Sequence, residues 1–419
     1  MRAATSVNAH GFSKKFEHTL FKKIKVAQTG TRTIPVMNSD TDLSPVVAAR
    51  VRDAAASGTP LRIRGGGSKD FYGQTLAGDV LDMSAHAGVI SYEPSELVVT
   101  VRGGTPLAEL EALLAEQGQC LPFEPPHFGP HATVGGMVAS GLSGPARASS
   151  GAVREYLLGV VMLNGKGECL TFGGQVMKNV AGYDVSRLMA GTLGTLGVLL
   201  EVSLKVLPVA PGEATLMCSG LPQQKALDLL NRWGGQPLPL NASCWVHDDS
   251  ASPPQDVLFV RLRGALAAVE AACPRMSADV QAAGGQAVPM DNALASADWN
   301  ACREHTLPFF ARPPASDACL WRLSVPQTTP ALDLPFVPLI EWHGGLRWLW
   351  APASAAAQLR RLAEQAGGHA TLFRRAAQTP AELPVFTPLS PVLSRIQQGL
   401  RKQFDPAGIF NPGRMFMGG

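Results

Sequence analysis

Three consecutive glycines constrain the fold of this chain more than any other feature of its sequence. Residues 61–64 alternate apolar and basic side chains as a β-strand does, and they lead into a run made of Arg64, Gly65, Gly66, Gly67 and Ser68. Glycines after a strand let consecutive backbone N–H groups turn toward one anion, and the flanking residues add a charge and a hydroxyl. Alone, the triplet is weak evidence, because a flexible turn has the same composition and the run matches neither the Rossmann nor the Walker sequence.

A second glycine-rich segment covers residues 132–141. Adjacent glycines before small apolar residues predict a helix whose N-terminus packs against a diphosphate. The residues concerned are Thr133, Val134, Gly135, Gly136 and Gly141. The alternative is a seam of small residues between a helix and a sheet. Together, two such segments in one region favour a cofactor that contains a pyrophosphate.

A third segment runs from residue 178 to residue 198 and includes Gly191 and Gly194. Gly197 and Val198 stand at the start of a predicted strand, where a residue without a side chain lets a flat ligand approach the backbone closely. A loop followed by a bulge in a sheet would show the same pattern, so this segment supports the cofactor only in combination with the other two.

Apolar periodicity predicts a chain of the α+β class with two packed regions. In the first region it predicts helices near 43–58 and 105–118 and strands near 61–64, 80–83, 97–101, 157–163, 168–172 and 196–207. After a break at 208–212, apolar strands separated by Ala-rich helices indicate a second α+β domain with an antiparallel sheet. We therefore divide the chain into residues 1–36, 37–208, 209–390 and 391–419.

Positive charge is concentrated in residues 1–36, which carry seven basic side chains and one acidic side chain. The whole chain has a net charge of +3, so the remainder is slightly acidic and gives no support for nucleic-acid binding. Aromatic and aliphatic residues alternate with lysines between residues 12 and 25, as in a targeting or membrane-surface segment. We favour the alternative, a disordered extension ahead of a domain that starts near Met37.

The seven cysteines are scattered and never form a C-x-x-C pair. This pattern excludes a disulfide framework, a zinc ribbon and an iron–sulfur cluster with local ligands, and it predicts a reducing, cytoplasmic environment. No stretch approaches the ~20 apolar residues that a membrane-spanning helix needs. The sequence therefore predicts a soluble globular protein without an integral membrane segment.

In this order, the three glycine-rich segments resemble the FAD-binding domain of the vanillyl-alcohol-oxidase/p-cresol-methylhydroxylase (PCMH) superfamily. The sequences that carry the resemblance are 64–68, 133–136, 178–184, 194–197 and a C-terminal motif, Phe404-Asp405-Pro406 with Asn411-Pro412-Gly413-Arg414. Within the superfamily, the sequence is most similar to the FAD-binding subunits of bacterial glycolate oxidase. The resemblance implies a two-subdomain PCMH-type domain, a smaller α+β domain, and a C-terminal tail that returns to the FAD domain.

By this resemblance the cofactor is FAD, with its pyrophosphate held by residues 64–68 and 133–136. Gly141, Gly151 and the strand that starts at Gly197 and Val198 would line the rest of the cofactor. Some relatives attach FAD to a histidine of the first loop, and Gly67 occupies that position here. The resemblance therefore implies FAD that is bound without a covalent bond.

The second domain lacks the histidine cluster with which related 2-hydroxy-acid dehydrogenases hold a metal. His343 precedes two glycines, but no second histidine follows within a few residues, so no metal site is predicted. Arg303 and His305 are the candidate catalytic residues, although a salt-bridged helix end would have the same sequence. The tryptophans at positions 342, 348 and 350 fit a core or a partner interface better than a substrate site.

The main functional hypothesis is a flavoprotein subunit of glycolate oxidase (glycolate dehydrogenase) that helps to oxidise glycolate, a small 2-hydroxy acid, to glyoxylate. The implied partners are a second FAD-binding subunit, which would hold the substrate, and an iron–sulfur subunit. The complex would be cytoplasmic or peripheral on the inner face of the cytoplasmic membrane. The alternatives are a non-catalytic scaffold or electron-relay subunit of the same complex, and a stand-alone FAD-dependent 2-hydroxy-acid dehydrogenase.

Overall fold

The computed structural model of the chain describes residues 42–174, 184–249 and 251–415. The basic extension 1–36 and residues 178–183 of the third glycine-rich segment lie outside these ranges. Among the described residues, no helix is long and apolar enough to cross a bilayer.

The described part of the first region combines helices with two small sheets and one five-stranded sheet. Its helices are α1 Ser44–Ser57, α2 Leu107–Glu116, α3 Val134–Ser140, α4 Arg147–Ser150, α5 Val153–Tyr156 and α6 Val185–Leu188. Its strands are β1 Leu61–Arg64, β2 Asp79–Asp82, β3 Val89–Glu93, β4 Val98–Arg102, β5 Gln119–Cys120, β6 Leu157–Leu163, β7 Cys169–Gly173, β8 Val198–Lys205 and β9 Leu207–Pro208. Strands β1 and β2 pair in parallel, β5 pairs with β9, and the antiparallel sheet has the order β3-β4-β8-β6-β7.

The second region is built on an eight-stranded antiparallel sheet, which has more strands than the five-stranded sheet of the first region. Its helices are α7 Gln223–Gly234, α8 Leu266–Ala282, α9 Asn292–Arg303, α10 Pro308–Ala311 and α11 Ala356–Gln365, and the C-terminal tail adds α12 Pro391–Phe404. Its strands are β10 Gly212–Ser219, β11 Leu240–Asp248, β12 Gln255–Gly264, β13 Gln286–Pro289, β14 Ala318–Ser324, β15 Leu339–Glu341, β16 Leu346–Pro352 and β17 His369–Arg374. The strand order is β13-β10-β12-β11-β15-β16-β14-β17.

Local sequence accounts for the elements next to the first glycine loop. Helix α1 has a proline in its first turn and ends at Gly58, whose φ of 68° is a left-handed conformation that glycine adopts without strain. Its buried face, Val47, Val51 and Ala54, packs on a core shared with β1, β2 and β8. The helical period and the strands predicted for this region are confirmed, and so is the α+β class.

The C-terminal motif is bound to the segment that follows the first glycine loop. Asn411 accepts a hydrogen bond from the backbone N–H of Ile63 (2.9 Å) and donates one to the carbonyl of Leu193 (2.7 Å). The guanidinium of Arg414, which is buried, donates to the backbone carbonyls of residues 69, 70, 72 and 74. The backbone around the glycine loop is therefore held by residues more than three hundred positions later in the sequence.

We expect Asn411→Ala to lower the free energy of unfolding by ~1–3 kcal/mol, because it leaves the half-buried N–H of Ile63 and the half-buried carbonyl of Leu193 without their partner. Urea denaturation measures this change. Gln398→Ala, on an exposed position of α12, is the control and should change the free energy little. Equal stability of the two variants would contradict the role assigned to Asn411.

Candidate functional site

The glycine loop ends β1 and presents free backbone donors. Among the described residues, the N–H groups of Gly65, Gly66, Gly67 and Ser68 donate no hydrogen bond. Gly67 has a φ of 72°, a left-handed conformation that reverses the chain after the strand. Several free N–H groups in one short loop form the concave donor set that binds a phosphate.

The two glycine-rich segments that the sequence assigns to a pyrophosphate lie in direct contact. A β-carbon on Gly65 would come within 2.3 Å of the Oγ1 atom of Thr133, and one on Gly66 would come within 1.4 Å of the carbonyl oxygen of His131. Both positions therefore require glycine. The residues present fit an FAD pyrophosphate, since the loop combines a backbone-lined cradle with unused donors.

Helix α3 contributes to this cradle differently from the sequence-based prediction. The side chain of Thr133 caps the helix by accepting from Gly136 N–H (3.2 Å). The N–H groups of Val134 and Gly135 donate to the carbonyls of Thr105 (2.9 Å) and Gly103 (2.7 Å). These three donors of the first turn are thus occupied within the protein, and the free donors for an anion belong to the first loop.

The other predicted cofactor residues lie in packed backbone. A β-carbon on Gly141 would be 2.8 Å from the Cα of Gly191, and one on Gly197 would be 2.2 Å from the Cε of Met162. Val198 is fully buried in the core beneath α1. Gly151 ends α4 with a φ of 93°. Close packing within the protein accounts for glycine at 141 and 197, and contacts of these four residues with FAD stay a prediction.

Basic and aromatic side chains continue from the glycine loop toward the second region. Lys69 donates to the carbonyl of His127 (3.1 Å) and lies 5.7 Å from the centre of the Phe128 ring. Burial lowers the pKa of Lys69 to about 8. Arg374 lies over the rings of Phe71 (4.3 Å) and Phe128 (5.4 Å). Arg64, by contrast, is bound to Asp70 (2.9 Å) within the loop itself.

A cavity of about 20 Å³ lies between the two regions, and both candidate catalytic residues line it. His305 is stacked on Phe310 at 4.1 Å, and its Nδ1 atom is buried with no hydrogen-bond partner among the described residues. Burial lowers the pKa of His305 well below its usual value, and the charges of Arg374 and Arg322 lower it further, so the imidazole is neutral. Arg303 pairs with Glu304 (2.9 Å) at the same cavity.

Three arginines at this boundary have no carboxylate partner within 4.0 Å among the described residues: Arg147, Arg322 and Arg374. Arg147 and Arg322 lie over the ring of Trp342 at 4.5 Å and 5.1 Å. Burial lowers the pKa of Arg322, and burial together with the charge of Arg322 lowers that of Arg147. The three side chains are half-buried, and cations partly removed from water are normally paired, so these arginines provide positive charge for an anion.

Glu341 supplies a buried carboxyl group next to Arg322. Its oxygens accept hydrogen bonds from the Sγ of Cys302 (3.2 Å) and the Nε1 of Trp348 (2.6 Å). Burial raises the pKa of Glu341 to about 7, against the opposing effects of these two bonds and of Arg322. The group is therefore partly protonated near neutral pH, and it neutralises Arg322 incompletely.

Two carboxylates hold the regions together around this cavity. Glu304 of the second region accepts the backbone N–H groups of His127 (3.1 Å) and Phe128 (2.8 Å). Glu124 of the first region pairs with Arg261 and Arg263 of β12, each at 2.7 Å. Burial opposes ionisation of Glu124, but the two arginines outweigh it and its pKa lies below the usual value.

His343, which the sequence analysis weighs as a metal ligand, and His127 both have partners within the protein. The ring nitrogens of His343 lie 2.9 Å from the Oγ of Ser149 and 3.0 Å from the Oγ of Ser243, and burial lowers its pKa to about 4. His127 pairs with Glu111 at 3.0 Å. Within the described ranges, no group of three or more His, Cys, Asp or Glu side chains is arranged to bind a metal.

A larger cleft of about 890 Å³ opens on the second region beside Cys302. Its walls are apolar and aromatic, and include Trp299 and Trp350, while Asp249 and Asp298 contribute carboxylates. Carboxylates repel an anionic ligand. For an anionic substrate, the small arginine-lined cavity is the better candidate.

Comparisons with known proteins identify the family of this chain. A profile of the FAD binding domain family matches residues 45–173. The chain is 44% identical over 380 residues to glycolate oxidase subunit GlcE of Escherichia coli K12, which covers 91% of this chain and 99% of that protein. The chain belongs to the GlcE family. FAD is therefore its cofactor, and the resemblance drawn from the sequence motifs is confirmed.

More distant relatives match a smaller share of this GlcE-family chain. Glycolate oxidase subunit GlcD of Bacillus subtilis is 28% identical, across 38% of this chain and 34% of that protein. The mitochondrial cytochrome-dependent D-lactate dehydrogenase of Arabidopsis thaliana is 31% identical, across 37% of this chain and 27% of that protein. The fold matches a solved alkyldihydroxyacetonephosphate synthase with a TM-score of 0.60 at 14% identity, covering 87% of this chain and 74% of that one.

Sequence reasoning missed several residues that line the site. Arg322 and Glu341 are charged residues inside otherwise apolar strands, which is a signal that a buried charge has a partner or a function. Arg147 and Arg374 carry no comparable local signal. Trp342 and Trp348, which the sequence assigns to a core or an interface, line the cavity as well as the core around it.

We expect Gly66→Ala to abolish FAD binding, because the new methyl group would collide with the carbonyl of His131 and displace the loop donors. The readout is flavin absorbance per protein after incubation with FAD and gel filtration. Gly234→Ala, which meets nothing within 4 Å, is the control and should retain wild-type flavin content. Full flavin content in Gly66→Ala would contradict the assignment of the loop.

Glu341 should make the stability of the protein depend on pH. In the folded protein Glu341 keeps its proton up to about pH 7, whereas in the unfolded chain it loses the proton near pH 4.5. The folded state therefore binds more protons between these two values, and the free energy of unfolding falls as the pH rises from about 4.5 to 7. Glu341→Gln has no carboxyl to ionise, so the difference between its free energy of unfolding and that of wild type should increase in its favour from about pH 4.5 to 7. Urea unfolding measured across this range, with Glu109→Gln as the control, tests it; a pH-independent difference would refute it.

Proposed function

We propose that this chain is the FAD-binding subunit of a multi-subunit glycolate oxidase that converts glycolate to glyoxylate. The observation that carries the proposal is the cluster of partly buried arginines at the boundary between the two regions, Arg147, Arg322 and Arg374, which have no carboxylate partner within 4.0 Å among the described residues. Similarity to GlcE along 99% of that protein supports the subunit assignment.

The substrate of such an enzyme is a small carboxylate with a neighbouring hydroxyl group. We infer that Arg322 binds its carboxylate, because guanidinium groups bind carboxylates with two parallel hydrogen bonds. Neutral His305 has a free Nδ1 atom on the same cavity, where it can accept the hydroxyl proton. When bound, FAD supplies the acceptor for the hydride from the substrate's α-carbon.

The size of the cavity sets a condition on this proposal. A volume of about 20 Å³ holds one water-sized group, which is less than glycolate needs. The His305 ring packs against Phe310 (4.1 Å between ring centres) and Trp348 (4.6 Å between ring centres), so these aromatic side chains must shift together to admit the substrate. Should the cavity stay closed, the substrate would have to bind to a second flavin subunit.

A second flavin subunit and an iron–sulfur subunit complete the proposed complex. The partial similarity to GlcD supports a related flavin partner. The described cysteines of this chain are all free and lack the spacing of a cluster, which supports a separate chain for iron–sulfur chemistry. Co-purification of three chains in fixed proportion tests this arrangement, and a monomer that oxidises glycolate at full rate contradicts it.

We expect the flavin band of the purified chain to bleach on anaerobic addition of glycolate. Arg322→Met should keep the flavin and raise the glycolate concentration needed for half-maximal bleaching by about 10- to 100-fold, the effect of losing a charged hydrogen-bond partner. Arg361→Met, on an exposed position of α11, is the matched control and should behave as wild type.

The outcomes separate the functional alternatives. Flavin that is bound but not bleached would move the substrate site to the partner subunit and refute the role of Arg322. Absence of flavin after addition of FAD would refute the cofactor assignment and favour a scaffold. Equal behaviour of Arg322→Met and Arg361→Met would show that another group binds the carboxylate.

A further inference from the structure

Helix α12 exposes an apolar face that has no partner among the described residues. Val392, Leu393 and Ile396 are 56%, 52% and 55% exposed, and the helix contains no buried residue. Helices α7 and α11 are also amphipathic, but they bury their apolar side chains, including Leu227 and Leu359, against the sheet. A contiguous exposed apolar face marks an interaction surface.

The exposed apolar residues of α12 form one stripe along the first half of the helix. With 3.6 residues per turn, Val392 and Ile396 lie about one turn apart, and Leu393 lies beside them. Leu400 and Phe404 continue the same face but are half-buried. The exposed stripe covers about 100° of the helix surface, which suits contact with an apolar layer.

The rest of the α12 surface is basic. It carries Arg395, Arg401 and Lys402, and the helix has no acidic residue. The three cations lie on both sides of the stripe, where their long side chains can reach outward past its edges. A cationic face beside an apolar stripe distinguishes helices that lie in a membrane interface.

The body of the protein holds α12 by one end and leaves the stripe uncovered. The carbonyl of Phe404 accepts a hydrogen bond from Gly165 N–H (2.7 Å), and the Phe404 ring contacts that of Phe172 at 6.2 Å between centroids. The next residue, Asp405, is buried and accepts the N–H groups of Ile409 and Phe410. The helix is thereby fixed at its C-terminal end.

We propose that α12 binds the surface of an anionic lipid bilayer, with its axis parallel to the surface and its stripe in the acyl boundary. Anionic headgroups complement three cations without a carboxylate, and the acyl boundary accepts the aliphatic side chains. A partner protein could cover the stripe by apolar contacts alone. Such contacts would not explain why three cations and no carboxylate flank the stripe. The proposal does not depend on the substrate of the enzyme.

Vesicle co-sedimentation of the full-length chain loaded with FAD tests this proposal. We expect binding to phosphatidylcholine vesicles that contain phosphatidylglycerol, little binding to pure phosphatidylcholine, and weakening by salt. Ile396→Asp should reduce the partition coefficient at least about tenfold, since it places a charge in the apolar stripe. Leu294→Asp is the matched control, because Leu294 is 66% exposed on a different helix and should leave binding unchanged.

A second pair of variants tests the charge pattern. Arg395→Gln combined with Lys402→Gln should weaken binding to the anionic vesicles severalfold and leave the flavin content unchanged. Arg361→Gln, on α11, is the control. No binding to anionic vesicles, or equal binding by wild type and Ile396→Asp, overturns the proposal. If Ile396→Asp keeps vesicle binding but loses assembly with a partner subunit, the stripe is a protein interface and the membrane assignment is wrong.

Discussion

Two reciprocal carboxylate contacts determine how the regions of this protein meet. Glu304 reaches from the second region to the backbone N–H groups of residues 127 and 128, and Glu124 reaches back to Arg261 and Arg263. Each carboxylate is mostly shielded from water, with 22% of the Glu304 side chain and 15% of the Glu124 side chain exposed, so loss of either partner would leave a charge poorly solvated. The cavity between the regions and the arginines around it owe their geometry to this pairing.

Two parts of the site offer an anion different groups, the first backbone N–H groups and the second arginine side chains. At the glycine loop, backbone donors provide a cradle for a phosphate, and Asn411 and Arg414 hold its position from the far end of the chain. At the cavity, side-chain guanidinium groups provide positive charge in a setting that excludes most water. The first suits the phosphate groups of a cofactor, and the second suits an anion recognised by a few side chains.

Much of the first site follows from sequence alone, because its determinants are local. Two glycine-rich segments in one region favour a pyrophosphate site, and the requirement for glycine at residues 65 and 66 appears in the structure as collisions that a β-carbon would cause. One local inference was incomplete. The first turn of α3 looks open to an anion in the sequence, but Gly103 and Thr105, brought close by folding, use two of its donors.

The amino-acid sequence by itself determined the fold class, the glycine loops, the cofactor and the family, because periodicity and short motifs act over a few residues. It also pointed to Arg303 and His305. Only the tertiary structure decided that these residues share a cavity with Arg322 and Glu341, and that the stripe of α12 stays uncovered. Burial and charge pairing depend on which distant segments meet, and a pattern of neighbouring residues does not contain that information.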